Sequence, residues 1–445
     1  MENKYIKIAN YIKKAIESGK LKPGNRAPSI LNLCDTFKCS KATVIRAYEE
    51  LQKEHILYSI PKSGFYVVER NVKKHNYDDA IIDFSTINPS ENLLPYEEFQ
   101  HSINQAIKIY KDSLFSYSDK QVNTELRKAL KNHFRDYSIF TKIENIAISS
   151  GCQQAIYILS KIPFPNGKSK VLIEQPTYYG VMKAVESNNI TAIGINRDIN
   201  GINLDELEQI FKTEDIKFFY IIPRFHNPTG FSLSNNQKRQ ILKLAEKYDV
   251  YIVEDDYLGD LDMNSKNETM YSMDITNRVI YIKSFSKTLL PGLRLAALIL
   301  PEAFVNSFLY HKACCDLITN SLSQGALEIY LKSKMYDNHL KHIKKFYSQQ
   351  MSTLKDAINR EFQDAASAFI PSTGFFASIK IPDSINIIEF ENALINKKVS
   401  VLNIQKMFLN EYKQNDILRL SMCNVNTQQI YKGIKLISQE IQNRI

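Results

Sequence analysis

The sequence predicts a small basic helical domain followed by a larger α/β body with a mostly parallel central sheet. A chain of 445 residues is too long for one ordinary domain. Residues 1–75 contain 15 Lys and Arg against 7 Asp and Glu, so nearly all of the net charge of +9 lies there. The remaining residues alternate apolar runs with helical patterns, which is typical of a parallel sheet covered by helices.

The basic segment is predicted to contain three helices and a hairpin. Apolar residues recur at helical spacing from Tyr5 to Ile16, and Ser18-Gly19 ends this first helix. Pro28-Ser29 opens a second helix, and Ser40 is a suitable N-cap for a third. Two short apolar runs follow, and residues 61–64 join them as a turn. Three helices followed by a hairpin form a winged helix-turn-helix.

This arrangement favours binding to double-stranded DNA. The third helix has the size of an element that enters a major groove. Its cationic and hydroxyl side chains can contact phosphates and bases, and backbone amides of the hairpin can contact phosphates. The residues predicted to contact DNA are Ser29, Ser40, Lys41, Thr43, Arg46, Lys62, Ser63 and Gly64. A small helical protein-interaction domain is the alternative.

The segment resembles the DNA-binding domain of the GntR superfamily over about residues 3–69. The matching residues are Leu21-Lys22-Pro23-Gly24, Pro28-Ser29, Ser40-Lys41-Ala42-Thr43-Val44, Arg46-Ala47-Tyr48, Leu51 and Ser63-Gly64. Leu31 departs from the pattern, since that family usually has a phosphate-contacting arginine there. We therefore expect a DNA-binding domain over residues 1–69, a charged linker over 70–80 and the body over 81–445.

Four apolar runs in the body each lead into a polar cluster. The clusters are residues 149–155, 223–230, 254–257 and 283–287. In open α/β sheets, ligands bind beyond the carboxyl ends of the strands. The four clusters are therefore expected to line one crevice.

One part of this crevice suits a phosphate group. Gly151, Cys152 and Gln153 open a helix after a strand, where free backbone amides and the helix dipole attract anions. Ser284 and Ser286 offer hydroxyl groups to the same anion, and Arg294 offers a charged donor; the three complete the predicted phosphate site.

A second part suits an aromatic aldehyde cofactor. Asp255 ends a buried strand, where a carboxylate needs a cationic partner such as a protonated pyridine nitrogen. Asn227 and Tyr257 can bind a phenolic oxygen, and Tyr178 can cover the ring. Lys287 can form an imine if a dry pocket and nearby cations lower its pKa.

Taken in order, these residues predict pyridoxal 5'-phosphate (PLP) with Lys287 as the Schiff-base lysine. Each signal is weak alone, since a lysine after a strand is usually solvated and Asn-Pro-Thr-Gly is usually a turn. Glu254, Asp255 and Asp256 also allow a hard metal ion, although magnesium sites usually include a phosphate partner. We expect no metal.

The body resembles the fold-type-I aminotransferases from about residue 82 to the C-terminus. The matching segments are Tyr117, 149–155, 176–180, 226–230, 254–257, 284–294 and 418–421. The resemblance implies that Arg419 binds an effector carboxylate in a bidentate pair. It also implies a homodimer in which Tyr117 reaches the partner subunit's phosphate, and a smaller C-terminal α/β subdomain over about 325–445.

The two halves together resemble the MocR-type transcriptional regulators. This resemblance implies PLP-dependent DNA binding that responds, through Schiff-base chemistry at Lys287, to an amino compound or to PLP itself. Two alternatives remain open: a working aminotransferase with an accessory DNA-binding head, and a repressor whose body only dimerises. We expect no net enzymatic role beyond residual half-reactions.

The sequence also bears on location. No apolar run approaches the length of a membrane span, and the charged N-terminus does not resemble a signal peptide. The six cysteines show neither metal-site nor disulfide spacing. A cytoplasmic protein without a membrane partner is therefore expected.

Overall fold

A computed structural model describes residues 4–22, 24–54, 56–60, 64–67, 81–116, 120–362, 366–414 and 416–445. The chain divides into two compact units, Met1–Ala80 and Ile81–Ile445. We call the first unit the head and the second the body. Among the described residues, no helix combines the length and the apolar character that a bilayer span requires. The predicted linker lies outside the described residues.

The head has the predicted three helices and hairpin. Its elements are α1 (Lys4–Glu17), α2 (Ile30–Phe37), α3 (Lys41–Lys53), β1 (Leu57–Ile60) and β2 (Gly64–Val67). The side chains of Ser29 and Ser40 accept hydrogen bonds from the backbone amides of Asn32 and Thr43, so the predicted N-cap at Ser40 is confirmed and Ser29 caps α2 in the same way. One face of α3 is buried against the other elements, as the pattern Val44, Ala47, Tyr48 and Leu51 predicted.

The body consists of helices and strands that alternate over most of its length. The helices are α4 (Tyr96–Tyr110), α5 (Lys120–Arg135), α6 (Cys152–Lys161), α7 (Tyr179–Ser187), α8 (Leu204–Thr213), α9 (Asn235–Lys247), α10 (Met270–Met273), α11 (Glu302–Asp316), α12 (Ser321–Lys332), α13 (Met335–Glu361), α14 (Ile387–Asn396) and α15 (Thr427–Gln442). The strands are β3 (Ile82–Asp83), β4 (Ile146–Ser149), β5 (Lys170–Gln175), β6 (Ala192–Asp198), β7 (Gly201–Ile202), β8 (Ile216–Ile221), β9 (Tyr251–Asp256), β10 (Val279–Ser284), β11 (Ala296–Ile299), β12 (Ser367–Phe369), β13 (Phe376–Lys380), β14 (Val399–Ser400), β15 (Leu402–Asn403) and β16 (Ile417–Ser421).

The large sheet has the order β4-β11-β10-β9-β8-β5-β6-β7. Strands β10, β9, β8, β5 and β6 are parallel neighbours, whereas β11 runs antiparallel to both β10 and β4. The prediction of a mostly parallel central sheet is confirmed. The inner strands β8 and β10 are buried along their whole length, because helices cover both faces of such a sheet.

The C-terminal part of the body contains a second sheet with the order β12-β13-β16-β15. Its strands are antiparallel, and a separate apolar core joins them to α13, α14 and α15. The short strand β3 pairs with β14, which ties the start of the body to this C-terminal part.

Candidate functional site

The four polar clusters meet at the carboxyl edge of the large sheet. Strands β8, β9 and β10 are parallel neighbours, and β4 has the same direction because it pairs antiparallel with β11, which itself pairs antiparallel with β10. The loops after β4, β8 and β10 and the end of β9 therefore lie side by side. They bring Gly151, Asn227, Asp255 and Lys287 to this edge, and we call the space between these residues the pocket.

The start of α6 forms an anion-binding corner with Arg294. Gly151 caps the helix at φ +89°, and the first backbone amides of a helix have no intrahelical acceptor. A Cβ on Gly151 would lie 2.6 Å from Arg294 Nη2, so only glycine lets the guanidinium lie so close. Arg294 Nη1 also lies 3.4 Å from Ser286 Oγ, while Ser284 Oγ accepts from the Ser286 amide.

Tyr178 is held over the same corner by Gln153. The Tyr178 hydroxyl lies 3.3 Å from Gln153 Oε1, and Gln153 Nε2 donates to the Gly180 carbonyl at 2.8 Å. Burial, with the charge of Asp255, raises the pKa of Tyr178 to about 12. Burial likewise raises the pKa of the Cys152 thiol. Both groups are therefore neutral at physiological pH, and the Tyr178 ring is available as a flat apolar surface.

Asp255 lies at the bottom of the pocket with one oxygen satisfied and one not. It is buried, and its Oδ2 accepts a 2.6 Å hydrogen bond from the hydroxyl of Tyr220 on the neighbouring strand β8. Its Oδ1 has no hydrogen-bond partner among the described residues. Burial raises the pKa of Asp255 to about 7, against the opposing effects of Tyr220 and Lys283. A cationic N–H donor would satisfy this oxygen and favour its charged form.

Asn227 and Tyr257 differ in whether their side-chain polar atoms already form a hydrogen bond within the protein. Asn227 Oδ1 is buried without a partner among the described residues. The Tyr257 hydroxyl instead donates to the backbone carbonyl of Phe225 at 2.6 Å. Its proton is thus directed away from a ligand, and Tyr257 can donate to a phenolic oxygen only after giving up this bond.

Lys287 lies half-buried at the mouth of the pocket. Its Nζ donates to the backbone carbonyl of Ile87 at 3.0 Å. Burial lowers the pKa of Lys287, and the positive charges of Arg419 and Arg294 lower it further. This environment therefore keeps a larger fraction of Lys287 as the neutral amine, which is the form that attacks a carbonyl carbon.

Arg419 is a buried cation without a carboxylate partner. It is 2% exposed, and no carboxylate among the described residues forms an ion pair with it, although the charge of Asp83 partly offsets the effect of burial on its pKa. Its Nη2 donates to the Ser85 carbonyl at 2.5 Å, its Nε has no partner, and its guanidinium lies 4.3 Å from the centre of the Phe376 ring. Burial lowers the pKa of Arg419 to about 10. An incoming carboxylate would supply the missing charge.

The opposite face of β9 carries a separate network of buried charges. Asp256 accepts from Arg224 Nη2 at 2.5 Å and from the Tyr281 hydroxyl at 2.6 Å. Glu254 accepts two backbone amides at the start of α10. Because side chains alternate along a strand, the three consecutive carboxylates cannot converge on one ion. Among the described residues, no group of three or more His, Cys, Asp or Glu is arranged to hold a metal.

In the head, Ser29 and Ser40 lie exposed at the starts of α2 and α3. Lys41 and Arg46 are exposed on α3, and Thr43 is half-buried with its Oγ1 3.0 Å from Ser40 Oγ. The guanidinium of Arg46 also lies 4.4 Å from the centre of the Tyr5 ring. In the hairpin, Gly64 has φ +118°. Lys62 and Ser63, like Tyr117 in the body, lie outside the described residues.

Comparison with known proteins assigns both halves to families. Residues 4–67 match the gntR family of bacterial regulatory proteins, and residues 85–437 match the class I and II aminotransferases. An uncharacterized HTH-type transcriptional regulator of Bacillus subtilis, YcxD, is 40% identical over 442 residues, covering 98% of this chain and 100% of that protein. The chain belongs to the MocR-type transcriptional regulators.

Other relatives agree with this assignment. NorG, an HTH-type transcriptional regulator of Staphylococcus aureus, is 26% identical to this MocR-type regulator. The matched region covers 85% of this chain and 91% of NorG. The crystal structure of Pyrococcus horikoshii kynurenine aminotransferase superposes with a TM-score of 0.76 at 24% identity, covering 94% of this chain and all of that one. The fold-type-I prediction is confirmed. The regulator therefore combines a head from a DNA-binding family with an aminotransferase-like domain from a PLP-dependent family.

Sequence reasoning missed three groups in the pocket of this MocR-type regulator. Tyr220 lies within a buried strand, yet its hydroxyl donates to Asp255. A hydroxyl one position before the end of that strand was the available signal. The backbone carbonyls of Ser85 and Ile87 contact Arg419 and Lys287. Such contacts leave no signal in residue types, because any residue has a carbonyl.

Proposed function

We propose that the chain regulates transcription by binding double-stranded DNA through its head and PLP in its body, and that it senses an amino compound, or PLP itself, at Lys287. The observation that carries the proposal is Asp255, whose buried Oδ1 has no hydrogen-bond partner among the described residues. A protonated pyridine nitrogen is a cationic donor that matches this need. The residues present fit the cofactor.

The other pocket residues fit the remaining parts of the cofactor. Arg294, Ser286 and the first amides of α6 suit a phosphate, and the Tyr178 ring suits the face of a pyridine ring. When bound, PLP supplies an aldehyde carbon that forms Schiff bases with amines. Lys287 contributes a primary amine with a lowered pKa at the mouth of the pocket. Arg419 binds the carboxylate of the effector, which restricts the effectors to amines that carry one.

The proposal includes a homodimer, in which the head of each subunit contacts one DNA half-site. A ligand changes DNA binding only if it prefers one arrangement of the dimer over another. In the head, Lys41 and Arg46 are exposed on α3, the helix proposed to enter the major groove.

A functional aminotransferase with an accessory head is the competing function, and the nearly complete set of pocket residues favours testing it. The purified full chain is loaded with PLP and mixed with single amino acids, and three quantities are followed: the PLP absorbance band, the mobility of DNA selected by the protein from a random library, and the transfer of amino groups to a keto acid. A band shift coupled to a mobility change supports sensing. Multiple turnovers without any DNA response support the enzyme.

A Lys287→Ala variant provides the second control. It should bind DNA but lose both the Schiff-base band and the ligand response. If it responds to the same ligand as the parent protein does, sensing at Lys287 is wrong and the body only dimerises.

A further inference from the structure

A single buried carboxylate holds both ends of the loop that carries the proposed Schiff-base lysine. We call residues 283–288 the lysine loop. At its start, Lys283 Nζ forms an ion pair with Asp260 Oδ2 at 2.7 Å, and both side chains are 2% exposed. At its end, the hydroxyl of Thr288 lies 2.7 Å from the hydroxyl of Tyr336, which donates to the same oxygen of Asp260 at 2.5 Å. Asp260 therefore holds Lys283 directly and Thr288 through Tyr336.

The charge of Asp260 sets the direction of these hydrogen bonds. Burial acts to raise the pKa of this carboxyl, but the charge of Lys283 and the hydrogen bonds hold the pKa well below its ordinary value. A carboxylate only accepts, so the hydrogen of the Tyr336 hydroxyl points to Asp260. The hydroxyl of Thr288 must therefore donate to Tyr336, and the two hydroxyls form an ordered chain.

The start of α13 makes two further contacts with the lysine loop. His339 Nε2 lies 2.9 Å from the backbone carbonyl of Thr288. Burial lowers the pKa of His339 to about 4, so the ring is neutral at physiological pH and Nε2 carries the hydrogen that this carbonyl accepts. The ring of Tyr336 packs edge to face against Phe285, with 5.9 Å between the ring centres. Since α13 continues into the apolar core of the C-terminal part, the lysine loop is attached to the helix that joins the two cores.

We propose that Asp260 and Tyr336 are positioning residues for Lys287, which keep its amine inside the pocket by fixing both ends of the lysine loop. The inference rests on the proposed Schiff-base role of Lys287. The effect passes through the backbone, because Lys287 Nζ itself donates to the carbonyl of Ile87. When the hold on Thr288 is lost, the amine reaches more solvated positions, where it is protonated more readily and attacks a carbonyl carbon more slowly.

The first test is acetylation of the PLP-free full chain with acetic anhydride, which reacts with neutral amines. Labelling of Lys287 is followed by mass spectrometry against pH, and its midpoint reports the pKa of this residue. Tyr336→Phe removes only a hydroxyl and should raise the midpoint by about 0.5–1 pH unit, because burial lowers the pKa of Lys287 in the parent chain. Thr288→Val removes the other half of the same bond and should raise it as well. This second variant remains informative if Tyr336→Phe does not fold.

Two comparisons separate positioning from a general loss of stability. Tyr330→Phe is the matched control, because Tyr330 is buried, its ring centre lies 6.2 Å from that of Tyr336, and its hydroxyl has no hydrogen-bond partner among the described residues. It should leave the midpoint unchanged. The double variant Tyr336→Phe/Thr288→Val should not exceed the rise in Tyr336→Phe, because the bond to Thr288 is already absent there.

The second test is the rate at which the Schiff-base band appears after PLP is added at pH 7.5. Tyr336→Phe should slow this step about three- to tenfold, in proportion to the smaller fraction of neutral amine. The inference is overturned by parental midpoints in both single variants, by an equal rise in Tyr330→Phe, by full additivity in the double variant, or by a parental rate in Tyr336→Phe.

The two tests also distinguish the inference from the proposed function. If the parent chain forms no band with PLP while the labelling midpoints rise as expected, the positioning of Lys287 stands and its Schiff-base role is wrong. If the band forms but no variant changes the midpoint, only the positioning role of Asp260 and Tyr336 is wrong.

Discussion

Replacing Asp255 with Asn should remove a specific pH dependence from the stability of the PLP-free body. The pKa of Asp255 is raised from an ordinary value of 3.8 to about 7 by burial. The folded state therefore binds this proton more tightly than the unfolded state does. Stability is full below about pH 4 and falls as the pH rises to about 7. A shift of about 3 pKa units corresponds to about 4 kcal/mol, of which about 3 kcal/mol is lost between pH 5 and pH 8.

The assay is urea unfolding followed by far-ultraviolet circular dichroism, because the chain has no tryptophan for fluorescence. Glu254 also has its pKa raised to about 7, so only the difference between the parent chain and Asp255→Asn isolates Asp255. In the PLP-free state, the difference in the free energy of unfolding between the parent chain and Asp255→Asn should change by about 3 kcal/mol between pH 5 and pH 8. Bound PLP should abolish the change, because a pyridinium stabilises the carboxylate. A difference that does not vary with pH would refute the reasoning.

Three further outcomes are expected. Tyr220→Phe leaves Asp255 Oδ2 without its donor, so the pKa of Asp255 should rise further and PLP affinity should fall about tenfold, measured by absorbance titration across pH. Gly151→Ala should weaken PLP binding at least about tenfold, because it combines a strained φ with a Cβ 2.6 Å from Arg294 Nη2. The control Gly167→Ala, at a residue with a positive φ and open space around it, should leave PLP affinity unchanged. Leu31→Arg, at a position 60% exposed on α2, should tighten DNA binding and steepen the salt dependence of log K by about 0.9, measured by fluorescence anisotropy; an unchanged slope would mean that this position does not face phosphate.

The architecture was predictable because its signals are local. Helical spacing, the start at Pro28-Ser29 and the N-cap at Ser40 located the helices of the head. In the body, apolar runs that end in polar clusters located β4, β8, β9 and β10. Since parallel strands present their carboxyl ends at one edge, the sequence alone was enough to assign the clusters to one site.

The contacts that tune the pocket were not predictable in the same way. The hydrogen bond from Tyr220 to Asp255 depends on the register between β8 and β9, which residue types do not encode. The Tyr257 hydroxyl was expected to face a ligand, but the backbone turn at Phe225, which has φ +50°, offers it a closer carbonyl. The contacts that the backbone carbonyls of Ser85 and Ile87 make with Arg419 and Lys287 are independent of side-chain identity.

The alternation along β9 also makes the pocket depend on strand register. Asp255 faces the pocket, while Asp256 faces Arg224 and Tyr281 on the other side of the sheet. A slip of one residue would still present a carboxylate to the pocket, because Glu254 and Asp256 flank Asp255. A slip that moves Asp256 into the place of Asp255 would, however, break the buried ion pair between Arg224 and Asp256 and leave Arg224 with Asp262 at 3.9 Å. The ion pair between Arg224 and Asp256 thus stabilises the register of β9 that places Asp255 in the pocket.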